Sequence, residues 1–261
     1  MLRSLLIKVP VLIVAALLLH RGAGVWAALT LGLGLALLLF QVMHPNAGLW
    51  TPVRWRASGP RAAVALTFDD GPDPRFTPGL LDLLRERQLR ATFFVVGERA
   101  ERYPELIRRI DQEGHLLGNH SHRHDLAIHF GLWKKAADEI DRCNEVLARI
   151  LEKTPRLFRP PLGFKNPALG DELRRRGMVV VGWQARGYDA VSADAGAIAR
   201  RLLEGARPGG VLLLHDGAGL RGTEDRGPTL AALPLLLDGL QARGLAVVPL
   251  DELLQEQAYL P

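Results

Sequence analysis

The chain has 261 residues, 48% hydrophobic and 23% charged, enough for one large packed domain or two small ones. Its net charge is +5, but Arg3, Lys8 and Arg21 put +3 of that into residues 1–43 and leave only +2 on the other 218. No basic stripe interleaves with aromatics, which excludes a nucleic-acid-binding class, and the single Cys143 excludes an intramolecular disulfide and a CxxC metal site.

The first predicted element is Leu5–Leu19, LLIKVPVLIVAALLL, which is apolar but short and holds Lys8 and Pro10. The second is Gly24–Val42, 19 mostly apolar residues inside a stretch, Gly22 to Val53, that has no Asp, Glu, Lys or Arg. At ~1.5 Å rise per residue it nearly crosses a hydrocarbon core of ~30 Å. Its apolar character runs all round the helix, unlike that of a half-buried core helix. Residues 1–43 are therefore expected to form one or two transmembrane helices. They read either as a hairpin with Arg21 in the turn or as a signal-peptide-like segment with AGVWA as a poor cleavage site. Arg3 and Lys8 before the pair, and Arg54, Arg56 and Arg61 after it, favour the hairpin with both ends in the cytoplasm of a bacterial inner membrane. Residues 44–60, opening with HPNAGLW, read as a linker, and 61–261 as the folded domain.

From Arg61 onward strands and helices alternate. Ala62–Phe68 is a strand, and Thr77–Gln88 an amphipathic helix with Thr77 as N-cap and Pro78 at its first position. ATFFVV is a strand, PELIRRIDQEG a helix closed by glycine, HLLGNH a short strand and Leu132–Glu152 a long helix. RLFRPP, MVVVGW, GGVLLLHD and LAVVPL read as further strands, separated by the helices NPALGDELRRRG, AGAIARRLLEGA and TLAALPLLLDGLQARG. Six or seven β-α units in series imply parallel strands with right-handed crossovers, as a barrel or an open doubly wound sheet. No GxGxxG or GxxxxGK[ST] follows the first strand. Polar residues gather instead after several different strands, as they do on the catalytic face of a β/α barrel.

The first strand ends in LTFDDGPDP, where Asp69 and Asp70 are adjacent carboxylates before a Gly-Pro turn. Residues 118–125, GNHSHRHD, hold three histidines in five positions. Fully extended, His120 and His124 would lie ~13 Å apart, too far to share an ion. In a helical turn they lie about 6 Å apart on one face, with His122 pointing away. In a strand, His122 could pair with either neighbour, but glycine and asparagine favour a turn after Asn119, and so His120 with His124. Two imidazoles and one carboxylate, Asp70 or Asp69, make a metal site with open positions, and the other carboxylate is then placed to act as a general base.

TFDDGP (Thr67–Pro72) followed by HSHRH (His120–His124) resembles the polysaccharide deacetylases of the NodB-homology type, carbohydrate esterase family 4. The family's third motif is matched by RPPLG (Arg159–Gly163), with Leu162 where an aromatic is common. The fourth is matched by GWQARGYDA through Trp183 and Asp189, with Ala190 where tryptophan is frequent, and the fifth by Leu213 and His215. The resemblance covers roughly Ala62 to Val248. It implies a distorted (β/α)7-type barrel as the catalytic domain, and an enzyme that removes N-acetyl groups from amino sugars of a glycan such as a chitooligosaccharide or peptidoglycan.

The same resemblance implies that Asp70, His120 and His124 hold a divalent metal, with zinc the expected ion. Asp69 becomes the general base, paired with Arg159, and His215 the general acid, paired with Asp189. Leu162 contributes a backbone N–H to the oxyanion, and Leu213 and Trp183 line the pocket for the acyl group. His115, His122 and His129 are given no role, and Gly219–Pro228 is expected to be a loop near His215 that contacts substrate. A lipid-linked amino sugar, with acetyl or formyl as leaving acyl group, is the alternative substrate. A carbohydrate-binding relic would lack a ligand or base, and a serine hydrolase would need a GxSxG elbow, which is absent.

Overall fold

The computed structural model describes residues 2–59, 61–125, 128, 133–219 and 225–261. Two helices, α1 (Leu2–His20) and α2 (Gly24–Met43), open the chain and turn at Arg21–Gly22. Gly34 lets them cross closely, since a Cβ there would stand 2.6 Å from Val11 Cγ1. By length and composition α2 is able to cross a membrane, whereas the apolar part of α1, Lys8–His20, is shorter.

The strands that follow are β1 (Val53–Arg54), β2 (Ala63–Asp69), β3 (Thr92–Val95), β4 (Leu116–Asn119), β5 (Leu157–Phe158), β6 (Val179–Val181), β7 (Ala185–Arg186), β8 (Val211–His215) and β9 (Ala246–Val247). All pairings in the sheet are parallel, in the order β1-β6-β5-β4-β3-β2-β8-β7, with β9 added beside β2. Between the strands run α3 (Thr77–Glu86), α4 (Gly97–Arg102), α5 (Pro104–Gln112), α6 (Trp133–Leu151), α7 (Pro167–Arg175), α8 (Ala195–Gly205), α9 (Gly227–Ala242) and α10 (Leu250–Leu254). The result is an α/β half-barrel. Among the described residues β1 and β7 end the ladder without pairing to each other, so the expected barrel is open on that side.

Strand alternation places the site. On β2, Val64, Leu66 and Phe68 face the helices and join one large core with Leu80, Leu81 and Leu84 of α3. Each such fully buried leucine contributes roughly 1.5–3 kcal/mol of apolar burial. The intervening Ala65 faces the barrel interior with Phe94 and Val211, a second core closed from below by Leu250, Leu253 and Leu254 of α10. Thr67 and Asp69 continue that inward row toward the strand's C-terminal end, and register sets Asp69 beside His215.

Two expectations need correction. Residues 44–60 are not a free linker: Trp50 and Thr51 are buried, and Val53 and Arg54 pair with Val180 and Val181. The pairing spans only two residues, too few to show as alternation in the sequence. Thr77 is not the N-cap of α3; Phe76 is, and the Thr77 hydroxyl donates instead to Asp216 Oδ2 at 2.6 Å. The short β7 and α4 were not anticipated, for the same reason as β1.

Candidate active site and metal centre

Asp70 follows β2 in the left-handed region, at φ +73°. Arg99 fixes that turn by donating to the Asp70 backbone carbonyl at 2.7 Å. The HSHRH segment leaves β4 as an irregular turn rather than a helix, with Ser121 at φ +69° and His124 at φ +56°. Its shape is locked by side chains: Ser121 N–H donates to Asn119 Oδ1 at 2.7 Å, and His124 N–H to Ser121 Oγ at 3.0 Å. The two imidazoles end with ring centroids 5.0 Å apart. His122 turns away and is buried, its backbone N–H bonded to Glu139 Oε2.

His120 Nδ1 lies 2.7 Å from the Arg159 carbonyl, so the ring proton belongs on Nδ1 and the Nε2 lone pair is free. That Nε2 is 3.3 Å from Asp70 Oδ1, and His124 Nε2 is 3.2 Å from the same oxygen. Asp70 Oδ1 is buried and accepts no hydrogen bond. Such an orphaned oxygen between two imidazole nitrogens fits a cation. Ligand bonds of ~2.1 Å put adjacent donor atoms ~3.0–3.4 Å apart in octahedral or tetrahedral shells, and both separations fall in that window. Burial opposes ionisation of Asp70, yet the two imidazoles outweigh it and hold the carboxyl below the ordinary range. Burial also pushes His124 down, toward the neutral form that binds metal.

Asp69 Oδ1 accepts from Arg159 Nη1 at 2.7 Å. Arg159 is fully buried and its other donors reach Thr67 Oγ1 and the carbonyls of Val181 and Gly182. Its guanidinium stacks 4.2 Å from the Phe94 ring centroid, which fixes its plane. Asp69 Oδ2, the other oxygen, stands 3.9 Å from His120 Nε2.

Across the cavity, Asp189 Oδ1 lies 3.0 Å from His215 Nδ1, and Asp189 Oδ2 accepts from the His215 N–H and from Thr229 Oγ1. Burial opposes protonation of His215, but Asp189 overrides it and pushes the imidazole up to about 9, so it is cationic at neutral pH. These groups share a cavity of about 450 Å³ whose walls include Leu162, Trp183, Ala190 and Leu213. Leu162 sits at its lip at φ +54°, and the adjoining Gly163 packs against Trp183, where a Cβ would meet the ring at 2.6 Å.

Residues 56–181 match the polysaccharide deacetylase family. A peptidoglycan-N-acetylglucosamine deacetylase of Bacillus cereus is 35% identical over 232 residues, 82% of this chain and 79% of that protein. The chain belongs to the polysaccharide deacetylase family. A chitooligosaccharide deacetylase of Azorhizobium caulinodans is 33% identical over 73% of this chain and 93% of its own length. The crystal structure of the Bc1960 peptidoglycan N-acetylglucosamine deacetylase superposes with a TM-score of 0.72 at 31% identity, over 78% of this chain and 93% of that one. This deacetylase is thus a family 4 carbohydrate esterase, a hydrolase of N-acetyl amide bonds, and the family uses a divalent metal.

The deacetylase brings together every residue singled out from its sequence: Asp69, Asp70, His120, His124, Arg159, Asp189 and His215, with Leu162, Trp183 and Leu213 on the walls. His129 and residues 220–224 lie outside the described residues. Arg226 and Thr229 were not foreseen as partners of Asp189. Arg226 is buried and donates to the Gly217 and Asp189 carbonyls. Asp216, next to His215, was also missed; burial pushes it up to about 7, and it is held by Thr77. The only signals were adjacency to His215 for Asp216 and membership of the Gly219–Pro228 loop for Arg226; Thr229, just past that loop, had none.

Proposed function

We propose that the protein is a membrane-anchored, metal-dependent deacetylase that frees the amine of N-acetylated amino sugars in a glycan. The observation that carries this is the orphaned Asp70 Oδ1 between His120 and His124, facing two separately braced acid–base groups across one cavity. The acetamido group enters with its methyl against Leu213 and Trp183. Asp70, His120 and His124 hold the ion, and zinc suits two nitrogens and one oxygen. When bound, it supplies Lewis-acid polarisation of the acyl oxygen and makes water more acidic.

Asp69 takes the proton of the attacking water on Oδ2, since Oδ1 is occupied by Arg159. Water oxygen bonds to the acyl carbon, and the charge that develops on the acyl oxygen is met by the Leu162 N–H. His215 is held at Nδ1 by Asp189, which leaves Nε2 to protonate the departing nitrogen. The C–N bond breaks, giving acetate and the free amine. Residues 1–43 anchor the protein as a hairpin of α1 and α2, and the arginines and lysine flanking it favour both ends in the cytoplasm.

The test is acetate release from N-acetylglucosamine oligomers by the full chain in detergent, after metal stripping, with and without added zinc. Release restored by zinc and absent in Asp69→Asn supports the reading. Undiminished release in the stripped enzyme, or in Asp69→Asn, overturns it.

A further inference from the structure

A second hollow, of about 660 Å³, opens from the catalytic cavity. The two share Leu162, Phe164, Trp183, Arg186 and Tyr188 as walls. The hollow runs on to Met43 and His44, where α2 ends. That junction is tied by hydrogen bonds. Lys165 is buried, its N–H donates to the Val42 carbonyl, and its ammonium donates to the carbonyls of His44, Pro45 and Gly163. One side chain thus ties the end of the apolar helix to the turn that carries Leu162. Asn46 adds a second tie through the Trp183 carbonyl at 2.9 Å.

The chemistry of the hollow changes along its length. Its outer end has exposed Met43, and Phe40 lies exposed one turn back on α2. Its middle carries two exposed arginines, Arg186 and Arg201. Arg186 is held against Tyr188, its guanidinium carbon 4.2 Å from the ring centroid, and Arg201 donates to the Gly187 carbonyl. Among the described residues neither is paired with a carboxylate, although Glu204 also lines the hollow. Beyond the shared walls lies the catalytic cavity, with Asp70, His120 and His124. A ligand complementary to this order is apolar first, anionic second and an acylated amino sugar last. Arginine recognises phosphate through parallel N–H donors.

We infer that the substrate is an amino sugar carried on a membrane lipid through phosphate, its phosphate lying by Arg186 and Arg201 and its apolar lipid chain leaving beside Met43. This rests on the deacetylase and membrane-anchor readings above and names the substrate class for the same cavity. A long insoluble glycan would use neither the arginines nor the apolar exit.

The full chain in detergent micelles is given three probes at equal concentration: N-acetylglucosamine linked to a polyprenyl diphosphate, N-acetylglucosamine 1-phosphate, and chitotetraose. Acetate release is measured for wild type and for Arg201→Gln, with melting temperatures to show that the exposed substitution leaves the fold intact. We expect kcat/KM for the lipid-linked probe to exceed that for chitotetraose by about tenfold or more, and Arg201→Gln to reduce that ratio by about tenfold, the loss of one charge-assisted contact. A ratio at or below one, or unchanged in Arg201→Gln, overturns the inference and leaves the deacetylase standing. Equal turnover of the unlipidated sugar phosphate overturns the lipid part of it. No release from any probe with metal present overturns the deacetylase reading as well.

Discussion

At the ends of β2 and β4 a cluster of charged groups is left unsaturated, whereas the Asp189 carboxylate that braces His215 is fully paired. Asp70 Oδ1 and His124 Nδ1 are buried with no hydrogen bond, and two imidazoles point at one oxygen. Both carboxylate oxygens of Asp189, by contrast, are engaged, by His215 twice and by Thr229, and its carbonyl accepts from Arg226. Buried polar atoms without partners are costly, and a cation beside the two imidazoles would relieve Asp70 Oδ1. The Asp189 carboxylate needs nothing further, and its saturation tunes one proton. The two halves of the cavity therefore fail in different ways.

The sharpest break comes from the unsaturated side. His124→Ala removes one of three ligands; bound zinc, read by atomic emission, falls well below one per chain, and acetate release drops by ~10³-fold or more, the scale of lost Lewis-acid stabilisation. Asp69→Asn separates base from ligand set. Zinc content stays near wild type while kcat/KM falls by ~10²–10⁴. If zinc and activity fall together in Asp69→Asn, Asp69 belongs with the ligands and is not a separate base.

The saturated side gives smaller, pH-dependent effects. His215 is raised to about 9 in the folded protein, from an ordinary value of 6.5. Its pairing with Asp189 therefore stabilises fully below about 6.5, and that contribution is lost as pH rises through about 9. The active, protonated form is lost as pH passes about 9, so kcat/KM declines above that pH. Asp189→Asn moves that alkaline limb down toward ~6.5 and costs ~10–100-fold at pH 8, with zinc unchanged. An alkaline limb that does not move removes His215 as the acid. Thr229→Val is the mildest: loss of one hydrogen bond, ~1 kcal/mol, gives about a fivefold decrease and a limb shifted slightly downward.

Reading the chain showed more of the site than of its support. The motif residues stood out because Asp, His and Arg clustered just after apolar strands, and period-2 alternation aims such residues inward. His120 and His124 were paired by supposing a helical turn; the pairing holds, but two left-handed residues and the Ser121 hydroxyl achieve it. Such conformations at non-glycine positions leave no trace in hydrophobic period. Arg226 and Thr229 act through bonds to Asp189 across 37 and 40 positions, a separation that composition and spacing do not encode. Likewise, β1 was assigned to the linker because a two-residue strand has no pattern, although its partner β6 was plain.

Arg159 serves both the base and the ligand set, by different atoms. Its guanidinium holds Asp69, and its main-chain carbonyl orients His120. Only the first of these is written in the genetic code: any residue at position 159 that keeps the backbone course still offers that carbonyl. A substitution at Arg159 is therefore expected to take away the partner of Asp69 while leaving the backbone acceptor of His120 in place.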